Sequence, residues 1–288
     1  MCANSLLNSS IITKEALRVL KNELGFTKGV NRQYDDKFAV EGAKIGDTIS
    51  IRKPQRFTVA DGAAISIQDI TNEKEALQLD SQKHVAFTFS SKELTLSIDR
   101  FSELYIKPAV IALANKIDFD GTNRYLDVYN SVGTPGTTPN AFSIATDAGT
   151  KLTEFGTPRD GNRRLCVNAA AMGSMADALK GLFQSSEKIK KQYEKGLMGM
   201  AAGFSWVEDE NIRRHTVGAH GGTPLTNGAG SEGDSTIVTD GWTASTAVIK
   251  KGDIFTVGAV NSVNPQSRQS TGNLQQFVAT ADGTSDGS

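Results

Sequence analysis

Residues 196–218 read GLMGMAAGFSWVEDENIRRHTVG. This stretch sets four glycines, the first of the chain's two tryptophans, an acidic triplet and a histidine within 23 residues. Gly196, Gly199 and Gly203 argue against a helix interior, where each glycine costs roughly 1 kcal/mol relative to alanine. Phe204 and Trp206 alternate with polar neighbours, as on a half-buried strand. The segment therefore predicts backbone that bends and then pairs tightly in a crowded place, followed by a charged exit from Glu208 to Arg214.

The flanks extend that reading. Upstream, Leu165-Cys166-Val167 predicts a short buried strand and Asn168 a helix cap. Met172, Met175, Ala176, Leu179 and Phe183 then follow helical spacing. Strand, cap, helix and glycine-rich segment together predict a mixed α/β lobe. Downstream, residues 218–233 read as a glycine-rich loop, with strands expected at Ser235–Thr239, Asp253–Val260 and Leu274–Thr280. An Asp282-Gly283 turn signal follows the last of these, for which a hairpin partner is expected to be missing.

The N-terminal half reads differently. Thr13, Lys14 and Glu15 before Leu17, Leu20 and Leu24 predict a short capped helix ending at Gly25, its apolar stripe narrow enough to need a neighbour. Residues 26–42 read as an extended arm. Strands are predicted at Thr48–Arg52, Arg56–Ala60, through Ile65 and Ile67, at Ala76–Leu79 and at Val85–Phe89, with Asp61-Gly62 as a turn. These alternate without enough apolar mass for a core, which predicts a long, partly solvated hairpin whose faces and edges want a partner. From Asp99, residues Phe101, Leu104, Tyr105, Ile111, Ala112 and Asn115 predict a helix to about Phe119, with Pro108 as a kink or a restart. Residues 131–164, with Pro135, Pro139 and Pro158, read as a long surface loop.

Composition bounds the function. At 288 residues and 38% hydrophobic, the chain can bury at least one sizeable core. Lys plus Arg (31) nearly cancels Asp plus Glu (32), which excludes the usual polybasic nucleic-acid binder. Two distant cysteines, Cys2 and Cys166, argue against a disulfide framework and for a reducing compartment. Neither a secretory signal nor an apolar run of about 20 residues is visible, so the expectation is a soluble chain made in the cytoplasm. Asn8-Ser9-Ser10 matches a glycosylation sequon without the secretion signal that would give it meaning.

Candidate chemistry is thin. Gly228, Gly230 and Gly233 match G-x-G-x-x-G, but the strand before and helix after that a dinucleotide site needs are lacking, so a loop is the reading. Glu208, Asp209, Glu210, His215 and His220 could be assembled into a metal site on paper. The histidines are five apart, off a common helical face, and ion pairs are the simpler account. Asp118, Asp120 and Asn123 faintly echo a calcium loop with its glycine misplaced. Cys166 sits in an apolar strand where thiols are inert, His84 has no acidic partner, and no serine lies in a nucleophile elbow. Lys188, Lys190, Lys191 and Lys195 lack interleaved aromatics and read as a solvated face. No catalytic, cofactor-binding or metal-ligating set emerges, and no enzyme is expected. Pairing of Asp209 or Glu210 with Arg213 or Arg214 of a neighbouring copy is the reading that gives this segment a role, so Glu208, Asp209, Glu210, Arg213 and Arg214 are the candidate inter-subunit contacts.

Four stretches carry a family resemblance: QKHVAFTFSSKELTLSIDRFSELYI (82–106), RFSELYIKPAVIALANKIDFD (100–120), RLCVNAAAMGSMADALKGLF (164–183) and YEKGLMGMAAGFSWVEDENIRRHTVG (193–218). Across most of residues 10–260 the chain resembles the coat proteins of short-tailed Salmonella-type phages, tailed-phage major capsid proteins of the Hong Kong 97-like, α+β fold. The resemblance implies an N-terminal arm (1–35) and an extended β-hairpin loop (36–95). It also implies a peripheral domain with a spine helix (96–160), an axial domain (161–245) and an inserted β-barrel beginning at 246–288, with AVIKKGDIFTVGAVN (247–261) as its first strand. The family's chain continues beyond this point, so the resemblance also implies a chain truncated at Ser288. Its implied role is structural: hexamers and pentamers of an icosahedral shell around double-stranded DNA, assembled with a scaffolding protein and a portal, located in the virion, without cofactor or membrane. A β-rich tail or decoration protein is the rival reading, and an unrecognised hydrolase the more distant one.

Overall fold

The computed structural model describes residues 13–20, 24–30, 48–63, 65, 67–70, 72–86, 102–179, 198–231, 233–244 and 247–285. Helix and sheet are mixed, and the chain divides into two compact units, Met1–Ile117 and Asp118–Ser288.

In the first unit, helix α1 spans residues 13–20. Its Val19, with Ala16 and Leu20, packs on Ile106, Val110 and Tyr105, so the helix does lean on a neighbour. The phase differs from the expected stripe, because Leu17 lies exposed and Val19 is the buried residue. The Ser102 hydroxyl donates to Glu15 Oε1 (3.0 Å), tying the two segments by a polar contact as well. Residues 26–30 are not extended: Thr27–Gly29 form a single 3-10 turn.

The expected long hairpin is a two-stranded ribbon. Strand β1 (Thr48–Arg52) pairs antiparallel with β2 (Lys74–Gln78), from Thr48 opposite Gln78 to Arg52 opposite Lys74. Arg56–Ala60, Ile65 and Ile67 are not in strands; they belong to the connection between β1 and β2. Alternation without a strand to pair with among the described residues leaves them exposed. The strand expected at Val85–Phe89 lies mostly outside the described residues, as do Asp99 and Phe101.

The helix predicted to run to about Phe119 is present among the described residues. A π-helical turn, Ser102–Ile106, runs into α2 (Lys107–Thr122). Pro108 sits at the second position of α2, directly after the π-helical turn, so the expected kink or restart falls where the helical hydrogen-bond register changes. The cut between the two units falls within this helix.

The second unit holds the larger core. Strand β3 (Arg164–Val167) pairs parallel with β5 (Phe204–Glu208), which pairs antiparallel with β4 (Met200–Ala201), giving the order β3-β5-β4. Helix α3 (Phe142–Glu154) and helix α4 (Ala169–Leu179) cover this sheet. Ala145, Val167, Ala171, Met172, Met175, Ala201, Phe204 and Trp206 form one buried cluster. Asn168 caps α4 as expected, its Oδ1 accepting from the Ala171 N–H at 2.9 Å. Helix α3 corrects the reading of 131–164 as one surface loop. Ala145 and Gly149 are its buried positions, and Gly149 faces the Phe204 ring, where an added Cβ would come into ordinary contact at 3.4 Å.

Beyond β5 the strands come in pairs. Strand β6 (Gly222–Thr226) meets β7 (Thr239–Trp242), placing the glycine-rich 227–238 stretch at the tip of an exposed hairpin. The strand expected at Ser235–Thr239 starts only at Thr239. Strand β8 (Ala247–Ile249) pairs with β11 (Gly283–Thr284), and β9 (Ile254–Val263) pairs with β10 (Ser270–Val278). Leu274–Val278 therefore does have a hairpin partner, β9, contrary to expectation. Residues 247–261 are two strands broken by a turn at Lys250–Gly252, not one.

Candidate functional site

The opening stretch folds as read. Met200 faces Ser205 and Ala201 faces Phe204, so Ala202 and Gly203 form a two-residue turn, with φ of 52° and 78°. Positive φ at both central positions is the twist that joins tightly paired antiparallel strands. Along β5 the buried residues alternate, with Phe204 and Trp206 inward, and the Trp206 indole N–H donates to Ala201 O at 3.0 Å. Gly196 and the basic 188–195 run lie outside the described residues.

Where β5 ends, the charged exit begins. Glu208, Glu210, Arg213 and Arg214 are exposed, whereas Asp209 is buried, only 6% exposed. The Asp209 N–H donates to Val167 O (3.0 Å), and its Oδ1 accepts from the Asn211 N–H (2.9 Å), closing a local turn. Asp209 therefore shapes the segment while its neighbours present charge. Arg213 stacks its guanidinium 4.6 Å from the Phe119 ring centre. The Arg214 Nε–H donates to Gly136 O, and the Thr122 hydroxyl lies 3.3 Å from Asn211 O.

The far end of the segment is held by Asp253, the first residue of the strand predicted at Asp253–Val260. Asp253 is 2% exposed. Its Oδ1 accepts from His215 Nε2 (2.7 Å), and its Oδ2 accepts from His220 Nε2 (2.9 Å), the Gly218 N–H (2.9 Å) and the Lys250 N–H (2.8 Å). Burial alone would push this carboxyl up. The Lys250 N–H, the His215 ring, the Gly218 N–H and the His220 ring outweigh it and hold the pKa at about 2. Tyr125 meets the other side of the His215 ring, its hydroxyl 3.1 Å from Nδ1 and its ring at an 80° edge contact. Burial raises the Tyr125 pKa; because the Asp253 carboxylate can only accept, Nε2 is the donor to it, and Nδ1 of a neutral ring accepts from the Tyr125 hydroxyl. That leaves the proton of a neutral His215 on Nε2, facing Asp253.

Two glycines allow this crowding. A Cβ on Gly218 would sit 2.4 Å from Val248 O, and one on Gly252 would sit 2.4 Å from Leu126 Cδ2 and 3.2 Å from His215 Cε1. The two histidines thus do converge, but on a carboxylate at hydrogen-bond distances. Among the described residues no group of three or more His, Cys, Asp and Glu is arranged to hold a metal ion. Glu208 and Glu210 are not part of the cluster. Asp118 and Asp120 lie on α2 and Asn123 opens a 3-10 turn, so the faint calcium-loop pattern is helical. His84 lies exposed outside any strand. Cys166 is half-buried; burial first, then Asp209 and Asp118, raises its pKa, the opposite of what a nucleophile needs. No helix among the described residues is long and apolar enough to cross a membrane.

This arrangement ties one stretch of backbone to another and presents charge. The family model described as "P22 coat protein - gene protein 5" matches residues 1–288. The chain belongs to the P22 coat protein family. It is a phage major capsid protein, a structural component of the virion shell. No curated protein matches the chain. Among solved structures, it is similar to a chain from Mycobacterium phage Che8, at 22% identity over 65% of this chain and 69% of that one, with a TM-score of 0.42.

Proposed function

We propose that the chain builds an icosahedral shell around double-stranded DNA, using a Hong Kong 97-like subunit. In this reading 1–35 is an N-terminal arm, 36–95 an extended loop, 96–160 the peripheral and 161–245 the axial domain, and 246–288 part of an inserted β-domain. Subunits are made in the host cytoplasm, gather as hexamers and pentamers with a scaffolding protein and a portal, and perform no catalysis.

The carrying observation is the β1–β2 ribbon. Its connection exposes Val59 (93%), Ile65 (92%) and Ile67 (88%), with Phe57 and Ile70 also uncovered. A two-stranded ribbon is marginal alone, and contiguous exposed apolar side chains mark an interaction surface. In a shell-forming chain, the surface of a neighbouring subunit is the natural cover. Many such weak contacts, repeated by symmetry, close a stable assembly.

The segment Glu208–Arg214 is the second contact in this proposal. Exposed Glu208 and Glu210 beside exposed Arg213 and Arg214 supply both signs to a facing copy, and Asp209 sets the turn that displays them.

The test is particle formation. Val59→Asp with Ile67→Asp should leave the circular dichroism of the subunit unchanged and abolish shells seen by electron microscopy. Shells at undiminished yield, or wild-type chains giving only fibres or small discrete oligomers, would overturn the proposal.

A further inference from the structure

We infer that Asp253 is a positioning residue for assembly: by gripping His215, Gly218 and His220 it fixes the segment that displays Glu208, Glu210, Arg213 and Arg214. The inference rests on the reading of Glu208–Arg214 as a contact between copies.

Residues 209–221 contain no helix or strand, so nothing in their own backbone ladder fixes their course. Their position is set from outside. At the start, the Asp209 N–H donates to Val167 O; at the end, the Ala219 and His220 N–H groups donate to Ala247 O and Val248 O at 3.1 and 3.2 Å. Between these ends, the Asp253 carboxylate provides three of the anchors, through His215, Gly218 and His220. The same residue is built into the next layer. Its N–H donates to Lys250 O and its O accepts from the Ala279 N–H, while the Gly252 N–H donates to Ala279 O. Asp253 thus joins the contact segment to the β8–β9 turn and to the end of β10.

The chemistry suits positioning. A buried carboxylate with all its donors in place is costly to disturb, because every released donor would be left dry or the charge left unmatched. His215 transmits the constraint directly, since it follows Arg213 and Arg214 in the chain and its ring is held on both sides, by Asp253 and Tyr125.

The experiment uses the full chain and three readouts: hydrogen exchange across 209–220, exchange across the β3–β5 core, and shell yield by sedimentation and electron microscopy. Asp253→Asn keeps one acceptor oxygen and turns its amide N–H₂ toward either the His215 donor or the three donors on Oδ2. It should speed exchange at 209–220 and lower shell yield at least tenfold, with the β3–β5 core still protected. His215→Leu should do the same, whereas His215→Gln, which keeps a donor for Oδ1, should restore most of the yield. If core protection is lost in Asp253→Asn, the His215 pair decides. Equal yields from His215→Leu and His215→Gln, or looser 209–220 with normal yield, would overturn the inference. Arg213→Glu with Arg214→Glu separates the two ideas. If that variant assembles normally, the contact reading itself falls; if it fails while the Asp253 and His215 variants assemble, only the positioning role falls.

Discussion

His215 and His220 hold opposite oxygens of one Asp253 carboxylate, Nε2 to Oδ1 at 2.7 Å and Nε2 to Oδ2 at 2.9 Å. Two imidazoles five residues apart in an irregular segment meet one acid more than thirty residues later. The pair therefore closes residues 215–253 into a loop around a single buried charge, and the exposed Arg213 and Arg214 lie immediately before its first anchor.

The acid limb of stability should report this carboxylate. Asp253 is held at about 2 in the folded chain against an ordinary 3.8. A depressed carboxylate stabilises the fold fully above its unfolded pKa, and that contribution is lost as pH falls through the folded one. Between pH 4 and 2 the wild type should lose roughly 2 kcal/mol from this group, one pKa unit being about 1.4 kcal/mol. Urea unfolding measured across that range checks it: the Asp253→Asn protein should show a shallower acid slope by about that amount. Parallel slopes would place the acid sensitivity elsewhere.

The turn at Ala202-Gly203 should accept a better residue. Ala202 sits at φ 52°, a conformation that costs an L-residue with a Cβ roughly 1 kcal/mol and that asparagine tolerates. Ala202→Asn should therefore raise stability by about 0.5–1 kcal/mol. Gly203→Val, a β-branched residue forced to φ 78°, should lower it by more than that gain. Thermal unfolding of the two variants gives the comparison.

These features differ in how far the sequence reveals them. The β4–β5 hairpin is legible because its signals are local: glycines at the bend, then Phe204 and Trp206 two apart. The Asn168 cap and the β1–β2 ribbon are legible for the same reason. Helix α3 is hidden because Gly149 and the threonines at 146, 150 and 153 lower its propensity, and prolines on either side suggest a loop. Its spacing of Ile144, Ala145, Ala148 and Leu152 was the available signal. Asp253 is hidden for a different reason. Its two histidine partners lie 33 and 38 residues away in chain, and Gly252-Asp253 before an alternating run looks like any strand entry. Family membership is written along the whole chain and does not depend on either feature.

Helix α3 yields a prediction whose sign is set by a distance. An added Cβ at Gly149 would lie 3.4 Å from Phe204 Cε2 and 4.0 Å from Ala202 O, which is ordinary contact. Alanine also improves helix propensity by up to about 1 kcal/mol. Gly149→Ala should thus be neutral to stabilising by about 0.5–1 kcal/mol. Gly149→Leu must displace the Phe204 ring from the centre of the core and should cost about 1–3 kcal/mol. Opposite shifts of the urea midpoint in the two variants would bear this out; a loss in both would mean the core at Phe204 cannot yield even to a methyl group.

Gly218 poses the harsher case, at the end of the stretch that decides the fold. A Cβ there would meet Val248 O at 2.4 Å, Val248 C at 2.8 Å and Ile249 Cα at 2.9 Å, all backbone atoms. Side chains can rotate away from a methyl group; a paired strand cannot. Val248 is buried, and its carbonyl accepts the His220 N–H at 3.2 Å. Gly218→Ala should therefore push residues 215–220 off β8, lengthen the Gly218 N–H bond to Asp253, and cost about 1–3 kcal/mol. The loss should be local: exchange at 215–220 and 247–249 rises, while the β3–β5 core keeps its protection. An unchanged exchange pattern in Gly218→Ala would show that the close approach of Gly218 to Val248 does not hold this segment in place.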